Sequence, residues 1–261
     1  MIGSELLLPS PWAVVRSFCG LAQTTEFYRS ILHTLLRVAA GFAAGMTAGL
    51  LAGALTAFSH AADVLLTPLK NIIKATPVTS FIVLILLYFS SNVTPSAVAF
   101  LAVLPICWSN VCEGLRQTDK KMTELAHAYA FGRKKTLREI YFPAVRPYLS
   151  AAATTGLGFA WKSCVAAEVI ALSKNSVGRA LYESKLYLET AELFAWTASV
   201  VLISVLFEKL LVHKLFRNKN TEGAAGRRSD SLEHEHAGCE AELQYKSDVY
   251  AEYGRDEERN I

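Results

Sequence analysis

The chain has 261 residues, of which 52% are hydrophobic and 19% are charged. This composition excludes a disordered, a fibrous and a disulfide-built protein, and it leaves a globular or a membrane protein. Residues 1–213 hold 18 basic and 12 acidic residues, whereas residues 214–261 hold 8 and 11. The body is therefore poor in charge, the tail is rich in it, and no nucleic-acid-binding surface is expected.

Five apolar runs reach or nearly reach the length that crosses a membrane. A spanning helix needs about 20 mainly apolar residues. The predicted spans are residues 38–58, 72–89, 97–111, 145–172 and 194–212. A soluble helical bundle fits less well, because most of these runs lack the polar face that a soluble helix needs. We therefore predict an all-α polytopic membrane protein with about five transmembrane helices.

The first run carries glycines at every fourth position: Gly41, Gly45, Gly49 and Gly53. This spacing places them on one helix face, where they let another backbone approach closely in lipid. A buried soluble helix fits poorly, since each interior glycine costs roughly 1 kcal/mol relative to alanine. We predict that this face packs against a helix of the same chain or of a second copy.

The loop at residues 113–146 holds eight basic and four acidic residues. Short loops rich in Lys and Arg stay on the cytoplasmic side, so this loop and the C-terminal tail are predicted inside and residues 173–193 outside. The beginning of the chain contains Glu5 and lacks the basic region of a cleavable signal peptide. The amino end is therefore predicted outside.

A short amphipathic helix is predicted within this loop. Met122, Leu125, Ala126 and Tyr129 recur at positions i, i+3, i+4 and i+7. Such a helix suits docking into a groove on another protein. The basic residues around it suit a helix lying on anionic lipid equally well.

The loop resembles that of the permease subunits of bacterial ABC importers that work with a substrate-binding protein. The loop of that family carries Glu-Ala-Ala, a glycine four places after the second alanine, then nine residues and Ile-x-Leu-Pro. Anchored on Glu124, this chain keeps the spacing, with Ala126 at the second alanine, Ala130 at the glycine, and Ile140 and Pro143 at the end.

The departures from the family pattern are Leu125, Ala130 and Phe142. Gly132, two residues after the missing glycine, is the candidate for a left-handed turn. The residues that the resemblance assigns to coupling with the ATPase are Glu124, Leu125, Ala126, Tyr129, Ala130, Gly132, Ile140 and Pro143.

The likeness runs from about residue 8 to 215 and is closest to the branch that handles nitrate, sulfonates and taurine. The segments that carry it are LLLPSPWAVV, GLGFAWKSCVAAEVIAL, GRALYESKLYLET and LFAWTASVVLISVLFEKLL. It implies a homodimeric permease in the bacterial inner membrane, two copies of a separate ABC ATPase and an external substrate-binding protein.

The resemblance also suggests a domain organisation. In the family the LPSP segment follows a first transmembrane helix, which gives six spans, so residues 1–29 are expected to lack that helix. Residues 30–216 would form the permease domain, and residues 217–261 a disordered charged tail. Within the tail, Cys239 near His234 and His236 lacks the spacing of a zinc site, and neither a metal nor a cofactor is expected.

Two ionisable residues of the fourth run are candidates for the transport pathway. Charged groups inside a span are costly, which singles out Lys162 and Glu168. The alternative is that Lys162 extends toward the boundary and Glu168 lies at the outer boundary. The chain contains no G-x-x-x-x-G-K-[ST] phosphate loop, so the ATPase is expected to be another chain, and we predict that this chain is not an enzyme. A truncated inactive scaffold and a secondary transporter are the alternative functions.

Overall fold

The computed structural model describes residues 9–119, 122, 124, 126 and 128–216, and the regular elements within them are all helical. The helices are α1 Pro11–Leu21, α2 Thr25–Phe58, α3 His60–Ala75, α4 Val78–Tyr88, α5 Thr94–Arg116, α6 Arg133–Thr136, α7 Phe142–Ala171, α8 Val177–Leu186 and α9 Thr190–Phe216. A π-helical turn, Leu137–Tyr141, leads into α7. The predicted all-α fold is confirmed.

Three of the described helices are long and apolar enough to cross a membrane: α2, α5 and the Thr190–Phe207 part of α9. The pair α3 and α4 passes the same test as one unit bent by 103°, which gives up to four spans. The helix α7, which covers the predicted span 145–172, has 30 residues but does not pass on apolar composition. The described part of the chain is thus a polytopic membrane protein.

The predicted span 72–89 is wrong as one continuous helix. Thr76 has an extended backbone, with φ −77° and ψ 127°, and separates α3 from α4. The cause is local, because the ring of Pro77 disfavours the helical conformation of the residue before it. The chain therefore turns sharply at Thr76 and Pro77 instead of continuing across.

The helix α5 lies between α2 and α7 and forms the centre of the packing. Val103 of α5 shares a buried cluster with Val38 of α2 and Ala160 of α7. A second cluster joins Cys107 of α5 to Ala152 of α7. Residue numbers rise along α5 as they fall along α7, so the two helices are antiparallel.

The chain divides into a unit Met1–Leu210 and a unit Leu211–Ile261. The first unit holds the packed helices. Of the second, the structure describes residues 211–216, which are helical. The predicted tail 217–261 and the first eight residues lie outside the described residues.

Candidate functional site

The four-residue glycine stripe of α2 lies against α5. All four glycines are buried, and a Cβ on any of them would come within 2.4–2.8 Å of an atom of α5. For Gly49 that atom is the Cβ of Cys107, at 2.6 Å. Real Cβ atoms essentially never approach so closely, so only glycine permits this spacing of the two backbones. The stripe therefore meets a helix of its own chain.

Near the end of α7, Glu168 is fully buried and is held by three other residues. We call Thr34, Arg37, Glu168 and Gly178 the Glu168 cluster. The Thr34 hydroxyl lies 3.0 and 2.9 Å from the two carboxylate oxygens, and Arg37 Nη1 lies 2.9 Å from Oε1. The backbone N–H of Gly178 donates to Oε2 at 3.2 Å. The cluster thus joins α2, α7 and α8.

The amino end of α8 is built to meet this carboxylate. Ser176 caps the helix, because its side chain accepts the Arg179 N–H at 3.1 Å. The free N–H groups and the positive end of the helix dipole favour an anion there. A Cβ at Gly178 would lie 2.4 Å from the Cβ of Glu168, so glycine is required for this approach.

Arg37 also ties together two loops at this end of the helices. Its Nη2 donates to the carbonyl of Lys174 at 2.9 Å. Asn92 accepts the Lys174 N–H at 3.1 Å, and the Ser173 hydroxyl donates to the carbonyl of Ser91 at 2.5 Å. The loop before α5 and the loop after α7 are therefore at the same level.

Glu168 is a predicted candidate for the transport pathway, and the structure places it in a closed environment. Its carboxylate is fully buried, is paired with Arg37 and accepts hydrogen bonds on both oxygens. The ion pair and the hydrogen bonds of Glu168 link α8 to α2 and α7.

The predicted amphipathic helix of the loop is helical at Met122, Glu124, Ala126 and Ala128, while Leu125 lies outside the described residues. Ala126 is only 3% exposed, so it is buried within its own chain and is not available to a partner. Met122 and Tyr129 are 53% and 71% exposed, and Glu124 is exposed as well. Among the described residues of the loop helix and its final turn, the exposed large apolar side chains are Met122 and Tyr129.

The turn after this loop helix is made by Ala130 and not by Gly132, which corrects the prediction. Ala130 has φ 51°, and the Phe131 N–H donates to the carbonyl of Ala126 at 2.9 Å. A left-handed residue followed by this bond is the usual end of a helix, at the position that favours glycine. Gly132 lacks a left-handed backbone, and a Cβ added there would meet nothing within 4 Å.

The loop returns to the spans through a π-helical turn. Pro143 lies at the start of α7, is exposed and has no N–H to donate to the preceding turn. The five-residue turn Leu137–Tyr141, which includes half-buried Ile140, precedes it. Such π-turns are frequent at functional sites. The ring of Tyr141 also meets the ring of Phe58 of α2 edge-on, with centroids 5.2 Å apart.

The loop is anchored at its start as well. Arg116, the last residue of α5, forms a 2.6 Å ion pair with Asp63 of α3. The Tyr148 hydroxyl of α7 donates to the side chain of Gln117. Both ends of the loop are thus connected to the helices that form the packed unit.

Comparison with known proteins identifies the family. Binding-protein-dependent transport system inner membrane components match residues 45–213 of the chain. The chain belongs to this family.

Named relatives cover most of this permease. The putative aliphatic sulfonates transport permease protein SsuC of Bacillus subtilis is 26% identical over 223 residues, 84% of this chain and 80% of the relative. The riboflavin transport system permease protein RibX of Chloroflexus aurantiacus is 30% identical over 214 residues, 79% and 80% of the two chains. The taurine transport system permease protein TauC of Escherichia coli is 22% identical over 211 residues, 78% and 76%.

The resemblance identified from the sequence is therefore confirmed. The protein is a permease subunit of an ABC importer in an inner membrane, and the family implies a separate ATPase and a substrate-binding protein as its partners. No finding favours the inactive scaffold or the secondary transporter.

In this permease Lys162 and Glu168 do not form a pair. The helix α7 is continuous between them, and six residues on a regular helix turn the second side chain well away from the first. Lys162 is exposed, and among the described residues it makes no hydrogen bond or ion pair. Of the two predicted pathway residues, Lys162 is the exposed one.

The sequence did not predict the pairing of Arg37 with Glu168. One signal was present, namely a positive charge directly before the first apolar run and a negative charge within the fourth. Because 131 residues separate them, only the packing of α2 against α7 brings them together.

Proposed function

We propose that two copies of this chain form the translocation path of the importer, with residues 113–146 and the C-terminal tail in the cytoplasm and residues 173–193 outside. The excess of Lys and Arg in residues 113–146 supports this orientation. ATP hydrolysis belongs to the separate subunit, and this chain does no chemistry of its own. Its task is to bind the solute and to change the side to which the path is open.

Coupling to the ATPase is assigned to residues 124–143 together with Met122, and the observation that carries it is the exposed pair Met122 and Tyr129 on either side of Glu124. These apolar side chains, on the loop helix and in the turn that ends it, are 53% and 71% exposed and suit a groove on a partner protein. Leu125, Ala130, Gly132, Ile140 and Pro143 belong to the same proposed element, with Ala126 as its internal support. Glu124 would meet a basic group of the partner.

The connections of the loop suggest how its movement reaches the spans. When the ATPase subunits close, the loop helix moves with them. The π-helical turn passes directly into α7, and Tyr141 contacts Phe58 at the end of α2. A displacement of the loop therefore acts on both helices that flank α5, which is how a rigid-body switch between two openings is driven.

The proposed solute is a small sulfonate-like compound. The relatives named for aliphatic sulfonates and for taurine support this class. The relative named for riboflavin has a similar degree of identity, so identity alone does not select the solute.

The coupling role is tested by removing the exposed apolar pair. Met122→Ala with Tyr129→Ala should lower the amount of co-expressed ATPase recovered with the permease by about tenfold, which corresponds to about 1.4 kcal/mol of binding free energy. Leu186→Ala is the matched control, because Leu186 is 61% exposed on α8 and is predicted to lie on the other side of the membrane. The measurement is affinity capture from detergent extract together with ATP hydrolysis in vesicles.

Equal recovery of the ATPase by the double variant and by the control would contradict the coupling role. A helix on the lipid surface would then be the better interpretation of the loop. Ala126→Asp is not a suitable probe, since Ala126 is buried within its own chain and the charge would disturb the permease itself.

A further inference from the structure

Lys162 lies deep within the membrane-spanning region. It precedes the end of α7 at Ala171 by nine residues, or about 14 Å of helix. That end is level with the start of α5, because the Ser173 hydroxyl bonds to the carbonyl of Ser91. Since the hydrocarbon core is about 30 Å thick, Lys162 lies about midway through it.

The side chain of Lys162 is directed away from its own chain. Exposed residues recur along α7 at intervals of three and four, at Thr155, Phe159, Lys162, Ala166 and Ile170. This face is opposite to the face of α7 that carries buried Ala160 and Cys164. The four-carbon stem of a lysine is far too short to carry the ammonium to either membrane surface from this depth.

Within the described part of the chain, no carboxylate is available to neutralise this charge. Of the acidic side chains that the structure describes in the long helices, Glu168 is the one away from a helix end, and Arg37 already pairs with it. Glu26, Glu113 and Glu192 lie near helix ends. Glu208 of α9 follows Phe207, whose ring packs on Trp161, and its side chain lies outside the described residues.

An unpaired charge in a span is maintained only where it meets water or a counter-charge. We infer that Lys162 lines the water-filled path and holds the anionic group of the solute midway across the membrane. This inference rests on the proposed function. It commits that function to solutes bearing a sulfonate or a comparable singly charged oxyanion, and it makes Lys162 the residue that selects for charge.

The test uses a cysteine one turn from Lys162 on the same exposed face. Ala166→Cys is introduced into the full chain with Cys19→Ser and Cys239→Ser, which leaves the buried Cys107, Cys112 and Cys164. Two thiosulfonate reagents are compared in reconstituted vesicles. One carries a sulfonatoethyl group and the other a trimethylammonioethyl group, and each rate is divided by the rate with a free thiol in solution.

With Lys162 present, the anionic reagent should react at least tenfold faster than the cationic one on this normalised scale. Lys162→Arg should keep the preference, and Lys162→Met should bring the ratio close to one. Lys162→Met should still fold, because it removes a charge and methionine is compatible with insertion into lipid. The labelling ratios of the variant and of the chain with Lys162 are compared at equal amounts of folded protein.

Two outcomes would overturn the inference. If neither reagent reacts with the thiol introduced by Ala166→Cys, this face of α7 meets lipid or protein and not a path. If Lys162→Met leaves the ratio unchanged, the ammonium does not act on the path. Because labelling needs no ATPase, a failed ATPase capture would count against the proposed function while the labelling ratio still decides the role of Lys162.

Discussion

At the scale of single residues, the most consequential contact is the ion pair between Arg37 and Glu168. The Glu168 side chain is fully buried and that of Arg37 is 13% exposed. Glu168→Gln should lower the free energy of unfolding by about 3–5 kcal/mol, because Arg37 would be left as a largely buried charge without a counter-charge. Thermal unfolding of the purified permease in detergent measures this change.

A double-mutant cycle measures the interaction free energy between Arg37 and Glu168 apart from their contacts with other residues. Arg37→Met combined with Glu168→Gln should cost less than the two single changes added together, because the unpaired charge is gone. Arg179→Met is the matched control. The pair of Arg179 with Glu183 has side chains 43% and 44% exposed and should contribute less than about 1 kcal/mol. Additive effects of the two changes at Arg37 and Glu168 would show that the ion pair is unimportant.

At the scale of helices, the contact between α2 and α5 depends on the absence of side chains at the glycine stripe. Gly49→Ala should separate the two helices, because the new methyl group would lie 2.6 Å from the Cβ of Cys107 in a contact made by backbone and stiff side chains. We expect a lower folded yield and a lower thermal midpoint. The cost should be about 1–3 kcal/mol, as for other overpacked cores.

Gly158→Ala in α7 makes the same chemical change where a Cβ would meet nothing within 4 Å. It should leave stability unchanged or raise it by up to about 1 kcal/mol, since alanine favours a helix more than glycine does. Equal stability of the two variants would mean that the stripe tolerates a wider separation of α2 and α5.

At the scale of the whole molecule, the orientation in the membrane is the prediction with the most consequences. In the background without Cys19 and Cys239, the thiol introduced by Leu186→Cys should react with an impermeant reagent in intact cells. The thiol introduced by Lys134→Cys should react only after the membrane is opened. Leu186 is 61% exposed and Lys134 is exposed, whereas Ser184 of the same outer segment is 3% exposed and unsuitable.

The reverse labelling pattern would invert the topology. The loop that carries Met122 and Tyr129 would then lie away from the cytoplasm, where no ATPase can reach it. The proposed coupling would fail with it.

The sequence alone predicted those features of the protein that depend on residues close together in the chain. The length of an apolar run sets whether a helix can cross lipid, and spacing by four places glycines on one face. The spacing from Glu124 to Pro143, together with the number of spans and the other similar segments, indicated the family, and the match to residues 45–213 confirms it. The break at Pro77 is also determined locally, because a proline disfavours the helical conformation of the residue before it.

The tertiary structure decided which faces meet. Arg37 and Glu168 become a pair only because α2 and α7 pack together across 131 residues of sequence. In the folded chain Ala126 is buried, Met122 and Tyr129 are exposed, and Lys162 has no partner among the described residues. Periodicity marks an apolar or a charged side chain, but it does not say what that side chain will contact. Whether a residue packs within its own chain or remains open to a partner or a solute depends on contacts between segments far apart in the sequence.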